Sequence, residues 1–328
     1  MLDVGNFSKR QILFAFLGKG EKLHFQNDNV VIRDAEGKIK SQATCYRLFA
    51  LFLVGHTTIS TPLIQRAKQF GFCIVLMTGG FRIYEVLGAR REGNTELRRL
   101  QYSYDSLDIA KYLTRNKISN QREALNRFRE KSPELKEAIR LLDDYADSLV
   151  KCESVREIMG FEGSASKLYF RHLFADIGWK GRKPRIKPDP LNSVLDIGYT
   201  LLFAFIESYL SVYGFDTYQG VLHRSFYMRK SLVCDLVEPF RPLIDLQVRK
   251  GFRLQQFREK DFKNFNGRYD LKWEKSPDYV SVLLRPLLER KEDIYRYIQS
   301  YYRAFMRSKA INDYPFFDIR QEEKVASP

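Results

Sequence analysis

The chain has 328 residues and a mass of 38.7 kDa, with 55 Lys and Arg against 40 Asp and Glu, a formal charge of +15 and an isoelectric point near 9.5. An apolar content of 44%, an aromatic content of 14% and only 19 Gly and 11 Pro exclude an acidic solvating chain and a disordered one. The length exceeds one ordinary domain of roughly 100–200 residues, so two domains are expected. In chain order, Gln11–Leu17, Lys22–Gln26, Asn29–Asp34 and Lys38–Cys45 read as short strands of one meander, separated by glycine, Asn-Asp-Asn and Ala35-Glu36-Gly37 breaks. Thr61 stands as an N-cap with Pro62 at the first helical position, and Gly71 supplies the stop, which predicts a helix over Pro62–Phe70. Cys73–Met77 is a continuous apolar run of buried-strand character, and Phe81–Leu87 pairs with it across Thr78-Gly79-Gly80.

Beyond Gly88 the character changes. Ala89–Asn94 is polar and reads as an interdomain linker, and from Glu96 onward the pattern is helical with no convincing alternating run. Ser132-Pro133 caps a helix to about Val150, Ser154-Val155-Arg156-Glu157 is a capping box, and Asp189-Pro190 opens a long apolar helix towards Tyr213-Gly214. Gln321–Pro328 is polar and expected to fray. The expected class is α+β: a small β-rich N-terminal domain (1–88), a linker (89–96) and a larger all-α C-terminal domain (97–328). The uninterrupted apolar runs, Leu48–Val54 and Tyr199–Ile206, fall short of the roughly 18–20 residues that cross a bilayer. The first residues carry no secretory pattern, so a cytoplasmic protein without a membrane partner is expected. Cys45, Cys73, Cys152 and Cys234 are scattered singly, the pattern of reduced thiols rather than of a disulfide framework or a zinc site.

A surplus of positive charge favours polyanionic partners. The densest cluster is Lys180, Arg182, Lys183, Arg185 and Lys187, without an acid among them, and with Arg224, Arg229 and Lys230 it forms the expected nucleic-acid-contacting set. Asp235 and Glu238 lie three apart in a helical stretch, so both carboxylates leave one face. His223 precedes them on a loop, and Glu162, in Gly160-Phe161-Glu162-Gly163, projects towards the apolar stripe of the helix carrying Tyr169 and Leu173. Carboxylates with one imidazole suit a hard divalent cation, Mg²⁺ or Mn²⁺, better than zinc. Asp235 and Glu238 also read as a solvated helix face paired with Arg229, Lys230 or Arg241, Glu162 as a helix-start carboxylate favoured by the dipole, and His223 as a structural histidine. Cys234 and His223 form a second, discounted nucleophilic pair, since nothing marks the thiol as activated. His24 and His56 read as structural, and His172 lies off the buried stripe and carries no functional claim.

These segments resemble the CRISPR adaptation integrase family, the universal CRISPR-associated protein of spacer acquisition. The resemblance runs through Val54-Gly55-His56-Thr57-Thr58-Ile59 to Leu76, Lys117-Ile118-Ser119-Asn120-Gln121, Gly160–Gly163, Asp189-Pro190-Leu191-Asn192 with Tyr199, Gly220–His223 and Ser231–Pro242. It implies a β-rich domain that forms a homodimer and a helical catalytic domain with a divalent-metal site. Carried over by position, Glu162, His223 and Glu238 are the metal ligands, with Asp235 the accompanying catalytic carboxylate. The implied reaction is transesterification: the 3′-OH of a short duplex attacks a repeat-boundary phosphodiester, with DNase and disintegration activity from the same site. The implied partners are double-stranded DNA, as spacer fragment and as repeat array. Whether two dimers sit on DNA, and whether a small CRISPR-associated adaptor protein is obligatory, stay open. The form of the Val54–Ile59 and Val233–Arg241 phrases is most similar to type V relatives. One departure is that Pro239 and Pro242 interrupt the helix carrying Asp235 and Glu238. A non-catalytic basic scaffold and a general phosphodiesterase are the alternatives.

Overall fold

The computed structural model of the protein describes residues 4–89, 93–223 and 227–320. The expectations placed on Met1–Asp3, on residues 90–92 of the linker, on Arg224 and on Gln321–Pro328 lie outside the described residues. The chain divides into two compact units, Met1–Arg99 with Ala204–Phe215, and Leu100–Phe203 with Asp216–Pro328.

The first unit holds α1 (Val4–Ser8), β1 (Gln11–Leu17), β2 (Lys22–Gln26), β3 (Asn29–Arg33), β4 (Ile39–Thr44), β5 (Leu48–Gly55), α2 (Thr61–Phe70), β6 (Cys73–Met77) and β7 (Ile83–Gly88). Six of the seven strands fall on the expected runs, β5 is a strand outside those runs, and the pairing differs from one meander. β2, β3 and β4 form a three-stranded antiparallel sheet, whereas β1 leaves them and pairs in parallel with β5 in a second sheet of order β1-β5-β6-β7. The cause lies in β5: its first seven residues are all buried, so it needs cover on both faces and a strand on each side. β2 alternates exposed and half-buried positions, as a strand with one wet face does. The pairing of β6 with β7 is antiparallel, as expected. In α2 the N-cap position falls on Ser60, one residue before the expected Thr61, and no side chain caps the end. Gly71 closes the helix at φ +72° with its N–H on Ala67 O, as expected. Gly88 is needed at φ +97°, where a Cβ would stand 2.5 Å from the Phe72 carbonyl oxygen.

The remaining elements are mainly helical and belong to the second unit, except that the start of α3 and the end of α7 belong to the first. After α3 (Thr95–Ser103) come α4 (Asp108–Asn126), α5 (Pro133–Ser148), α6 (Val155–Leu173), α7 (Pro190–Tyr213), α8 (Ser231–Val237) and α9 (Arg241–Arg253), then β8 (Phe262–Phe265) and β9 (Arg268–Leu271), and last α10 (Ser276–Glu289) and α11 (Lys291–Met306). Both expected caps form. Ser132 Oγ accepts from Leu135 N at 3.2 Å, and Ser154 Oγ from Glu157 N at 3.3 Å. α6 ends at Leu173, and a tight turn over Ala175–Ile177 then runs into Gly178 at φ +69°. The hairpin β8–β9 corrects the expectation that no strand follows Gly88 and that the C-terminal domain is all-α. Its turn residues, Asn266 at φ +48° and Gly267 at φ +79°, are the pair a tight two-residue hairpin favours.

Two helices decide how the site is built. α7 is long and apolar enough to cross a bilayer by length and composition, a test its uninterrupted runs fail, yet 78% of its most apolar window is buried, as in a core helix. α8 stops at Val237, a single tight turn spans Glu238–Phe240, and α9 starts at Arg241. Pro239 and Pro242 sit in the first turns of these segments, where a missing N–H costs no hydrogen bond. The break frees the Pro239 carbonyl, which accepts from Asn120 Nδ2 of α4 at 2.9 Å.

Candidate active site

The buried face of α4 carries polar side chains among its apolar ones: Asn116, Lys117, Asn120 and Gln121 are all buried. A lysine there demands an anion, and the fold supplies two. Lys117 Nζ bonds Glu162 Oε1 of α6 and lies 2.5 Å from Glu238 Oε2, in the turn after α8. The contact to Glu238 lacks hydrogen-bond angles, so Glu238 Oε2 is a buried oxygen held by charge alone. Its other oxygen, Oε1, lies 3.1 Å from Arg241. Glu162 Oε1 also accepts from Ser166 Oγ at 2.9 Å, and Ser166 is held in turn by Gln121 Nε2. Burial alone would push the Glu162 carboxyl up, but the Lys117 ammonium outweighs it and holds the group below the ordinary carboxylate range. Burial would likewise lower Lys117, and the Glu238 and Glu162 charges hold it above its ordinary value.

Asp235 has a different task from Glu238, although three residues separate them. It is fully buried, and its Oδ2 accepts from Val221 N at 2.6 Å and Leu222 N at 3.0 Å. Its Oδ1 accepts from His223 N at 2.9 Å and meets His223 Nδ1 at 2.7 Å. With Asp235 ionised, Nδ1 carries the proton and donates, which turns the Nε2 lone pair outward as a ligand or acceptor. Gly220 lets the loop close over this carboxylate, since a Cβ there would stand 2.7 Å from Asp235 Oδ2.

A second buried acid adjoins the carboxylate pair. Asp245 of α9 accepts from the Tyr199 hydroxyl, and the Tyr199 ring is flanked by Arg241 at 4.8 Å and Arg182 at 5.3 Å. Burial pushes the Asp245 carboxyl up to about 7, against the pull of Tyr199 and Arg241. A carboxyl whose pKa is raised on folding binds more protons native than unfolded between roughly pH 4 and 7, so its contribution to stability falls as pH rises through that window. Glu162, held low, acts in the opposite direction and only below about pH 4. Asp245→Asn keeps an acceptor for Tyr199 and removes the titration. Thermal melts from pH 5 to 8 should show a wild-type decline, on the order of a few kcal/mol, that the variant lacks; equal slopes would show that Asp245 does not titrate there.

The basic cluster is partly occupied. Arg182 pairs with Asp196 at 2.5 Å and donates to Asn192, and Lys187 pairs with Asp270 of β9 at 3.0 Å. The acids missing from the cluster's own sequence thus come from α7 and β9, and they engage Arg182 and Lys187. Lys180, Lys183, Arg185 and Arg229 are exposed. Lys230 is half-buried at the start of α8. All four cysteines are free, as expected, and burial pushes the Cys234 thiol up, which leaves it unsuited as a nucleophile. His24 is exposed on β2, His56 exposed after β5 and His172 half-buried on α6.

Among the described residues, no group of three or more His, Cys, Asp and Glu side chains is gathered to hold a metal ion. The structure brings Glu162 and Glu238 together on Lys117 and His223 together with Asp235; it does not close Glu162, His223 and Glu238 into one ligand set. The donor chemistry nonetheless fits a hard cation. Two carboxylates from separate elements converge on one positive centre, and one buried carboxylate oxygen is left without a hydrogen bond. Lys117 is the residue that sequence reasoning missed. Its signal is a lysine on the Ile109, Ala110, Leu113, Ala124 face of an otherwise regular amphipathic helix.

The family described as CRISPR associated protein Cas1 matches residues 15–282. A curated relative from Thermodesulfovibrio yellowstonii, described as a CRISPR-associated endonuclease Cas1, is 30% identical over 245 residues, 70% of this chain and 76% of that protein. Among solved structures, a casposase bound to integration product aligns with a TM-score of 0.76 at 18% identity, over 96% of both chains. A chain of a Cas6-RT-Cas1–Cas2 complex aligns with a TM-score of 0.79 at 18% identity; the alignment takes in 95% of this chain and 36% of that longer one.

Proposed function

We propose, from the premise that this chain belongs to the Cas1 family of CRISPR-associated proteins, a division of labour among its own residues in spacer acquisition. The chain is a CRISPR-associated endonuclease of integrase type, and the non-catalytic scaffold is set aside. Family members are generally metal-dependent. Glu162 and Glu238 would hold a Mg²⁺ or Mn²⁺ ion, with His223 Nε2 as the nitrogen ligand. Bound there, the ion would supply Lewis-acid stabilisation of charge on the reacting phosphodiester oxygens. The observation that carries this reading is the convergence of Glu162 and Glu238 on a single positive centre.

In the reaction the 3′-oxygen of a short DNA duplex forms a bond to a repeat-boundary phosphorus and the bond to the repeat strand's own 3′-oxygen breaks. Asp235 fixes the tautomer and aim of His223, and Arg241 holds Glu238 from the side away from Lys117. Lys180, Lys183 and Arg185 lead the DNA contacts, with Arg229 and Lys230 in support; catalysis by positioning requires such a grip, because the exchange of one phosphodiester for another offers little driving force. The partners are double-stranded DNA, as fragment and as repeat array, a second copy of the chain, and a small adaptor protein of the kind named in the Cas1–Cas2 complex. The phrases at Val54–Ile59 and Val233–Arg241 favour a type V relationship, and the cytoplasm is the proposed compartment.

The test is a gel assay with a short duplex bearing free 3′-OH ends and a supercoiled plasmid carrying a repeat array, with Mn²⁺ or Mg²⁺ against EDTA. Joined product that needs the ion and vanishes with 3′-dideoxy ends is expected. Nicking alone, unaffected by the dideoxy ends and by the adaptor, would make the chain a hydrolytic nuclease instead.

A further inference from the structure

We propose that Lys117 is the resting cation of the Glu162–Glu238 pair: it holds the two carboxylates together in the ion-free protein and gives up its place when the divalent ion binds. The proposal rests on the reading that this pair holds the ion. Lys117 reaches Glu162 and Glu238 at once, and its side chain is only 5% exposed. With Arg241 on the far oxygen of Glu238, two carboxylates face two cations, so the ion-free cluster is electrically balanced. A divalent ion added to that balance would stand beside an ammonium bound to the same oxygens, and the repulsion in a site of low dielectric is severe. One cation must leave.

The surroundings single out Lys117 as the one that moves. Arg241 is pinned by its guanidinium over the Tyr199 ring, whereas the lysine is a point charge on a flexible four-carbon stem. Glu162 does not depend on Lys117 for its position, because Ser166 Oγ donates to it at 2.9 Å and Gln121 braces Ser166. Glu238 keeps Arg241. Both carboxylates therefore retain a holder when the ammonium withdraws. Lys117 acts in this account as a positioning residue: it prevents two buried like charges from repelling each other before the ion arrives.

The experiment is a Mn²⁺ titration of ion-free protein without DNA, by calorimetry and thermal melt, for wild type, Lys117→Met, Lys117→Arg and Glu162→Gln. Lys117→Met should melt lower than wild type without the ion, gain more from Mn²⁺, and bind Mn²⁺ at least tenfold more tightly, because its competitor is gone. Lys117→Arg, with a fork that grips carboxylates harder, should bind it more weakly. Mn²⁺ affinity in Lys117→Met no greater than wild type would overturn the proposal. Should Lys117→Met not fold, acetylation of wild-type Lys117 by an N-hydroxysuccinimide ester, read by mass spectrometry, decides the matter. Modification should rise severalfold with Mn²⁺, and protection unchanged by Mn²⁺ would overturn the displacement. Equal Mn²⁺ binding by wild type and Glu162→Gln would instead overturn the underlying metal assignment.

Discussion

Glu162→Gln and Glu238→Gln should each reduce metal-dependent joining about a thousandfold, the scale of losing one preorganised electrostatic contact to a transition state. The substitution preserves side-chain volume and removes one charge, so the loss falls on chemistry rather than on packing. The fold survives because Lys117 keeps the other carboxylate in either variant, and Glu162 sits at the more open edge of the cluster, 24% exposed against 5% for Glu238. Circular dichroism should stay native in both, and the melting temperature should stay close to wild type in Glu162→Gln but fall in Glu238→Gln, which leaves Lys117 and Arg241 facing one carboxylate. Joining within tenfold of wild type in both variants, under matched Mn²⁺, would show that the pair is an ion-pair scaffold and not part of the catalytic centre.

Asp235→Asn has the second large effect, and its signature is different. The carboxylate accepts three backbone N–H groups and the His223 ring, and it is completely buried. An amide offers one accepting oxygen and turns an NH₂ towards donors, leaving at least one buried N–H unsatisfied at a cost of roughly 1–3 kcal/mol. For a chain of this size that lowers the melting temperature by roughly 2–4 °C. His223 loses the partner that sets its tautomer and aim, which for a supporting residue of a metal-binding histidine costs about 10–100-fold in activity or affinity. Joining and stability should fall together in Asp235→Asn, where in Glu162→Gln only joining falls. A variant with wild-type stability and normal joining would remove Asp235 from the account.

Much of the fold is readable residue by residue because its signals are local. The stop at Gly71, the cap at Ser132 and the apolar run Cys73–Met77 each state their element within a few residues. The parallel pairing of β1 with β5 is not readable in this way: it joins residues from Gln11 to Gly55 across an intervening three-stranded sheet, and pairing at that distance leaves no pattern in either strand. The Asn266-Gly267 turn, by contrast, is a strong local signal that the helical pattern around it obscures. In the site, the one-face argument for Asp235 and Glu238 is incomplete. The helix ends between them, and their partners lie 12 to 14 residues back for Asp235 and on α4 for Glu238. Likewise the charge of the Lys180–Lys187 loop is visible in sequence, whereas the acids that neutralise Arg182 and Lys187 come from distant α7 and β9.

The claim on which the rest depends is that Glu162, Glu238 and His223 hold the catalytic ion. Its most direct test is the anomalous difference map of a crystal grown with Mn²⁺. The account predicts a peak bonded by carboxylate oxygens of Glu162 and Glu238 and by His223 Nε2, with the Lys117 ammonium withdrawn from both carboxylates. A protein that joins DNA in Mn²⁺ yet shows Lys117 still seated between Glu162 and Glu238, with the manganese elsewhere, would contradict it.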